Sequence, residues 1–360
     1  MHSSLNLLSS RQSMAGAHVR ATIIIPTYNR PAHLARLLRC LAIQQGDVVE
    51  EVLVCDDGSS TDTAAAIAPF RGELRGLQLL RQDDLGFRAG QARNMGIRIA
   101  QGGVLIFLDD DLLLPASFVA EHLAAHAHRV NGTPSRRVVL GFRYRTERPV
   151  EGAPTVEEIL ASWPDDRVEH LGPDGEGIAV HRDPWFFTYS CNLSVPNDPD
   201  SVWFNEDFTG WGMEDIELGY RLVRSGGYHV VVQPGARVLH VEAVAPRDPF
   251  RCEERGLVPH YDSYVHNTVQ FVDTYPGDRA LYDLLVSELR WYVRDESGRH
   301  WVKNGFENDA DAVVAEVRRE QREAARRGVA VAERLRPDPE AIANPFADPC
   351  AAAPRKAAVR

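Results

Sequence analysis

The chain has 360 residues, 44% of them hydrophobic and 25% charged, with a net charge of −11 and a pI near 5.6. That length buries a full core as one large or two small domains. An acidic chain without a basic stripe is a poor partner for nucleic acid, whose binding rests on phosphate neutralisation, so a small-molecule or neutral-polymer substrate is expected. Cys40, Cys55, Cys191, Cys252 and Cys350 show no CxxC or zinc spacing, which predicts reduced thiols and a cytoplasmic location. Met1 to Arg20 lacks the pattern of a signal peptide and reads as a flexible N-terminus. No run reaches the roughly 18 apolar residues of a membrane span. Lys303 and Lys356 are the only lysines beside many arginines and alanines, a composition expected of a GC-rich bacterial genome. The oligomeric state is left open.

In chain order, Ala21–Ile25, Glu51–Cys55, Leu77–Leu80 and Val104–Leu108 are short apolar, β-branched runs suited to strands buried on both faces of a sheet. Helical patterns lie between them: one opened by Pro31 with Leu34, Leu37, Leu38 and Leu41 on one face, one over Thr61–Phe70 and one over Ala89–Ala100. Alternating strand and helix predicts a doubly wound α/β layer. A helix from Pro115 to about His128 and a strand over Arg137–Phe142 follow, with His122, His126 and His128 on the helix's polar face. Arg148–Pro184 is rich in Pro, Gly and Asp and reads as a long loop or lid. Order returns at Phe186–Val195, then a helix over Met213–Ser225 closed by Gly226-Gly227, and strands at Tyr228–Val232 and Arg237–Val241. The remainder reads as helical, with an apolar-periodic stretch at Leu281–Val293 and a solvated helix over Asp309–Arg336; Pro337–Arg360 reads as disordered.

Five segments carry side chains suited to chemistry. Val104–Leu108 delivers Asp109-Asp110-Asp111 to a strand's carboxyl end, where open α/β sheets bind ligands. Adjacent carboxylates repel unless a cation intervenes. If the strand continued, Asp109 and Asp111 would face one way and could share Mn²⁺ or Mg²⁺ with a diphosphate; an acidic turn capping the next helix explains the same triplet. Asp56-Asp57-Gly58-Ser59 ends another strand, where one carboxylate could bind a base or ribose, although Asp-Gly is also an ordinary turn and Ser60 or Thr61 an ordinary N-cap. Arg88 and Arg93 flank a glycine-spaced helix start suited to pyrophosphate. Gly210-Trp211-Gly212 precedes Glu214 and Asp215. The helix dipole accounts for the carboxylates alone, whereas a glycine-flanked Trp beside them suits a sugar platform with a general base. His240 ends a strand as a candidate nitrogen ligand or an ordinary structural histidine.

Taken in this order, with Ile23-Ile-Ile-Pro-Thr-Tyr-Asn-Arg at the front, the segments resemble the family 2 type of glycosyltransferase with the GT-A fold over Ala21–Glu242. Gly86-Phe-Arg-Ala-Gly, Arg93-Asn-Met-Gly and Gly210-Trp-Gly-Met-Glu-Asp most resemble its chondroitin-polymerase-like and galactosyltransferase-like members. The resemblance implies an α/β GT-A fold, a Rossmann-like mixed sheet flanked by helices. It spans residues 21–245, with a nucleotide-binding half at 21–111 and an acceptor half at 112–245, followed by a helical extension over 246–336 and the tail from 337. It implies a nucleotide-sugar donor, UDP most often, with Pro26, Tyr28, Arg30, Asp57, Arg93 and Asp110 by the nucleotide. Asp109, Asp111 and His240 would hold Mn²⁺ or Mg²⁺, and Asn192, Trp211 and Gly212 would touch sugar. Glu214 would bind acceptor or donor sugar in the catalytic pair with Asp215, the base. Asp215 stands where similar retaining enzymes carry Asn, which implies inversion. Unlike the polymerases, the chain shows one such domain, implying transfer of a single sugar to a glycan, peptide or small molecule. A nucleotidyltransferase and a non-catalytic sugar-nucleotide-binding module are the competing readings.

Overall fold

The structure, a computed structural model, describes residues 19–130, 133–146, 150, 152–198, 200–241 and 261–328. The expected flexible start before residue 19 and the tail from 337 lie outside these residues. Among the described residues, no helix is long and apolar enough to cross a membrane.

The expected βα alternation forms as β1 (Ala21–Thr27), α1 (Pro31–Ala42), β2 (Val49–Asp56), α2 (Thr63–Ile67), β3 (Gln78–Arg81), α3 (Ala89–Ile99) and β4 (Val104–Leu108). Leu34, Leu37, Leu38 and Leu41 are the buried face of α1, with Pro31 in its first turn. Helix α2 starts later than Thr61 because Asp62 caps it, accepting from the Ala65 amide at 2.9 Å. Then come β5 (Leu112–Leu113), α4 (Phe118–His126), the hairpin β6 (Arg129–Val130) and β7 (Thr133–Pro134), β8 (Arg137–Leu140) and β9 (Arg143–Thr146).

The single strand expected over Arg137–Phe142 is therefore split between two sheets. The chain changes sheet at Gly141, where a Cβ would lie 2.1 Å from the Ala236 carbonyl oxygen and 2.3 Å from the Asn192 amide nitrogen, so only glycine fits the crossing. The stretch read as a loop over 148–184 holds α5 (Val156–Leu160), β10 (Trp163–Pro164) and α6 (Asp166–Leu171). Thr155 and Glu158 form a capping box on α5, a local signal strong enough to start a helix without an apolar period. After these come β11 (Asn192–Pro196), α7 (Glu214–Arg224), β12 (His229–Val232), β13 (Val238–Val241), α8 (Asp262–Thr274), α9 (Arg279–Leu289), β14 (Tyr292–Arg294), β15 (Trp301–Lys303) and α10 (Ala310–Arg326).

The main sheet has the order β12-β8-β11-β4-β1-β2-β3, with β11 antiparallel to both neighbours and all other pairs parallel. This is the mixed, helix-flanked α/β sheet expected from the resemblance. Ile23 and Ile25 enter one core and Ile24 the other, as a strand covered on both faces requires. A smaller sheet, β10-β9-β13-β5, brings His240 beside Leu112, just past the acidic triplet.

Two helical expectations in the C-terminal part change. The stretch Leu281–Val293 stops being helical at Leu289 and continues into the β14–β15 hairpin. Helix α10 is not solvated all round: Val313, Val314 and Val317 pack with α8 and α9 in a third core that also holds Trp185, Tyr220 and Phe271. Nor are His122 and His126 a polar surface. His122 is fully buried, its ring nitrogens 2.8 Å from Ser194 Oγ and 2.9 Å from Asn192 Oδ1, and His126 lies 2.8 Å from the same serine.

Gly219 on α7 faces Thr188, whose hydroxyl donates to Trp185 O at 2.6 Å and Asp215 O at 3.2 Å; a Cβ at 219 would lie 1.9 Å from that hydroxyl. Gly219→Ala should therefore cost about 1–3 kcal/mol through overpacking, despite alanine's better helix propensity. The urea midpoint should fall at unchanged slope; an unchanged or raised midpoint would refute this packing.

Candidate active site

The carboxyl ends of β1, β2 and β4 open into one solvent-connected cleft of about 390 Å³, lined by Pro26, Thr27, Tyr28, Arg30, Asp57, Phe87, Ala89, Arg93, Asp109 and Asp110. All six residues expected at a nucleotide are among them. The cleft lies where ligand sites form on parallel strands, outside their carboxyl ends.

Two loops build the nucleotide end. Asn29, with φ of +55°, accepts at Oδ1 from the Ser60 and Thr61 amides at 2.8 and 3.1 Å, locking the loop after β1 to the loop after β2. The β2 carboxylates separate in role. Asp56 is fully buried, accepting from the Ser59 amide at 2.7 Å and the Thr63 hydroxyl at 2.6 Å, so it makes the turn. Asp57 faces the cleft, accepts from the Arg88 amide at 2.7 Å and from Gln82, and is pushed up to about 6 by burial. Tyr28 donates to Asp84 at 3.0 Å. Arg88 supports the loop rather than an anion, since its guanidinium donates to the Asp83 carbonyl and to Gln91.

The acidic triplet does not continue the strand, because β4 ends at Leu108. Asp109 turns to α3, accepting from Arg93 at 2.9 Å. Asp110 and Asp111 share Arg30 Nη1 at 3.2 and 2.7 Å, and Thr27 donates to Asp110 at 2.6 Å. His240 Nε2 lies 2.9 Å from Asp111 Oδ2. Burial and the neighbouring Asp111 raise Asp110 to about 7 despite Arg30. Burial works against ionised Asp111 too, but His240 and Arg30 outweigh it and hold it well below the ordinary carboxylate range.

The facing expected of Asp109 and Asp111 is thus replaced by a pairing of Asp110 with Asp111. Among the described residues, no three acidic, His or Cys side chains are gathered as a ready metal set. The donor chemistry nevertheless suits a hard cation: Asp111 Oδ1 is buried without a hydrogen-bond partner, an imidazole stands beside it, and the Asp109 side chain is 26% exposed on the cleft.

Helix α7 stands beside this lining through Arg93, although neither Glu214 nor Asp215 is among the lining residues. Gly90 lets α3 approach closely, so that a Cβ there would meet Phe204 at 3.2 Å and Glu214 at 3.7 Å. Arg93, almost fully buried, donates to Asp109 and reaches Glu214 at 3.5 Å. Asp215 accepts from the Ser190 amide at 2.9 Å and the Ile216 amide at 2.8 Å, and burial raises its affinity for a proton. Burial and the adjacent Asp215 push Glu214 up to about 7. Trp211 remains half-exposed on the turn before the helix, and the Gly210 amide on that turn donates to the Phe87 carbonyl at 2.9 Å.

Asn192 corrects the sugar-contact expectation. It is fully buried on β11, its amide donating to the Phe142 and Ala236 carbonyls at 3.1 and 2.9 Å and accepting from His122, so it ties strands together beneath the sheet. Thr27 and Phe87 belong to the cleft and were missed, although each lies inside a segment already singled out. The Ser190 amide on Asp215 had no sequence signal, since a backbone donor carries no residue identity.

Residues 22–162 match the sequence profile described as Glycosyl transferase family 2. The chain is 37% identical over 295 residues to validoxylamine A glucosyltransferase of Streptomyces hygroscopicus subsp. jinggangensis (strain 5008), covering 76% of this chain and 63% of that protein. Residues 22–162 are thus similar to a family 2 glycosyltransferase domain. The chain is also 30% identical over 243 residues to chondroitin synthase of Escherichia coli, covering 61% of this chain and 34% of that one. The solved structure of GalNAc-T7 with UDP, GalNAc and Mn²⁺ shares the fold, with a TM-score of 0.52 at 15% identity over 75% of this chain and 50% of the other. The chain thus spans about three-fifths or less of these curated relatives' lengths.

A carboxyl whose folded pKa is raised gives stability that is full below its ordinary value and is lost as pH rises through the folded one. For Glu214 that window runs from about 4.5 to about 7. Glu214→Gln, which cannot ionise, should therefore gain about 1–3 kcal/mol relative to the native chain between pH 5 and pH 8. Urea midpoints at the two pH values test this, and an equal difference at both would contradict the raised carboxyl.

Proposed function

We propose that the chain transfers a single sugar from a UDP-sugar to an acceptor hydroxyl, with inversion at the anomeric carbon. The observation that carries this reading is the convergence of six nucleotide-type residues and Asp109 on one cleft, with Arg93 joining Asp109 to Glu214. The glucosyl transfer named for the 37% identical relative supports a hexosyl donor, and the UDP bound to the fold neighbour supports uridine. Residues 21–111 form the nucleotide half and 112–245 the acceptor half in this reading.

Tyr28 and Phe87 flank the base, and Asp57 accepts from it with lone pairs left beyond those used by Gln82 and Arg88. Arg30 and Arg93 offset the diphosphate's charge as they now offset the triplet. Asp109, Asp111 and His240 would hold Mn²⁺ or Mg²⁺, which when bound neutralises charge on the leaving diphosphate. Asp215 removes the acceptor's proton as its oxygen bonds to the anomeric carbon and the bond to the diphosphate oxygen breaks. Burial favours this role by raising Asp215's proton affinity, and the Ser190 and Ile216 amides fix its orientation. Trp211, with Gly212 beside it, offers an aromatic face for an acceptor ring.

Incubation with a panel of UDP-sugars should give metal-dependent release of UDP that ceases with EDTA and returns with Mn²⁺. UDP with Mn²⁺ should raise the melting temperature by mass action. Asp215→Asn should lower transfer by about 10²–10⁴-fold while retaining UDP binding. Full activity of that variant would remove Asp215 as the base, and the anomeric configuration of the product, read by NMR, decides inversion.

A further inference from the structure

The turn that presents Trp211 does not hold itself. Gly210, Gly212 and the non-glycine Met213 all have positive φ, at +74°, +103° and +74°. The glycines adopt this region freely, but Met213 persists there only where its surroundings fix it. On one side that fixing comes from the cleft, through the bond from the Gly210 amide to Phe87. On the other it comes from α8, some fifty residues further along the chain.

Asn267 on α8 is buried, and its amide nitrogen donates to the Thr209 carbonyl at 3.1 Å and the Gly212 carbonyl at 2.8 Å, bracketing Trp211. Both amide protons are thereby committed. Tyr264, one turn earlier, stacks on the Trp211 ring with centroids 5.7 Å apart and planes at 30°. The glycines let α8 come this close: a Cβ at 210 would lie 2.3 Å from Ser263 Oγ, and one at 212 would lie 3.1 Å from Tyr264 Cδ2. Even so, the indole stays 48% exposed. A large aromatic ring backed by a second ring and held on a braced turn keeps about half of its surface open at a fixed orientation, as a stacking platform requires.

We infer that α8 completes the acceptor subsite, with Asn267 and Tyr264 as positioning residues that fix Trp211 to receive the apolar face of a pyranose. This rests on the glycosyl-transfer reading and deepens it. A pyranose presents axial C–H groups on one face and hydroxyls at its edge. It therefore stacks on a fixed indole while an edge hydroxyl can turn towards Asp215, four residues on at the start of α7.

The test uses the full chain. Tryptophan emission is titrated with methyl α- and β-D-glucopyranoside, and Trp211→Phe identifies the part that comes from this one of the six tryptophans. UDP binding is measured alongside by calorimetry. The native chain should show Trp211-dependent quenching. Asn267→Asp, which keeps the shape but removes the donors facing two carbonyls, should weaken glucoside binding at least tenfold, as should Tyr264→Ala. Tyr264→Phe should restore it, and UDP affinity should stay within twofold throughout. In turnover the Asn267→Asp loss should fall mainly on KM for the acceptor rather than on kcat.

The inference is overturned if the native chain shows no Trp211-dependent quenching, if Asn267→Asp and Tyr264→Ala bind glucoside normally, or if UDP binding falls in parallel. Glucoside binding through Trp211 with no turnover of any UDP-sugar would overturn the glycosyl-transfer reading and leave the subsite standing.

Discussion

Arg93 donates to Asp109 at 2.9 Å and reaches Glu214 at 3.5 Å, and this buried bridge joins the lining of the cleft to the start of α7. Asp109 belongs to the end of β4 and Glu214 to the start of α7, more than one hundred residues apart in the chain. Five carboxylates meet there: Asp109, Asp110 and Asp111 from one side, Glu214 and Asp215 from the other. Left alone they would repel in a region largely closed to water, where each uncompensated charge costs several kcal/mol. Arg93 and Arg30 make the gathering tolerable, with His240 beside Asp111. Removing one of these partners differs from removing a surface ion pair, because a buried charge is left behind.

The compensation is uneven, and the unevenness divides the carboxyls by chemistry. Asp111, beside Arg30 and the His240 ring, is held well below its ordinary range, whereas Asp110 and Glu214 are raised to about 7. A site that sets like groups apart in proton affinity has separated those suited to hold a cation from those suited to share a proton. A diphosphate entering the cleft adds negative charge to a place already crowded with it. On the proposed reading, a divalent cation answers that demand, and the unpartnered Asp111 Oδ1 marks where an oxygen is available.

The strands and their order of appearance were legible because buried parallel strands are written as continuous apolar runs, and β1, β2 and β4 are such runs. The cleft was legible for the same reason: strand ends locate it, so Pro26, Asp57 and Asp110 follow from where apolar runs stop. What failed depends on contacts distant in sequence. Asn192 sits on a strand end and looked like a ligand contact, yet its amide ties β11 to the Phe142 and Ala236 carbonyls. His122 and His126 look polar in sequence, yet His122 is buried against Ser194 and Asn192 and half-buried His126 reaches the same serine, which only the antiparallel insertion of β11 brings near. The split of β8 from β9 turns on Gly141 and a carbonyl ninety-five residues later, which no local window contains. The region over 148–184 differs, since its Pro, Gly and Asp content reads as loop while the Thr155–Glu158 capping box starts a helix within it.

Helix α7 has to hold Glu214 and Asp215 side by side at its first turn, where the helix dipole helps them and their mutual repulsion does not. Its other face supplies the restraint. Ile216 and Tyr220 enter the third core with Trp185, Phe271 and Leu285, and buried side chains of this size contribute about 1.5–3 kcal/mol each. Glu217, also almost fully buried, accepts from Arg221 at 3.0 Å and from Tyr275 at 2.5 Å, while Tyr220 donates to Asp278 at 2.8 Å. These contacts come from α8, α9 and the segment between them, so the helices beyond the matched family segment fix the register of α7. A carboxylate pair beside the cleft needs such a backstop: charge repulsion pushes α7 outward, and the aromatic core behind it resists.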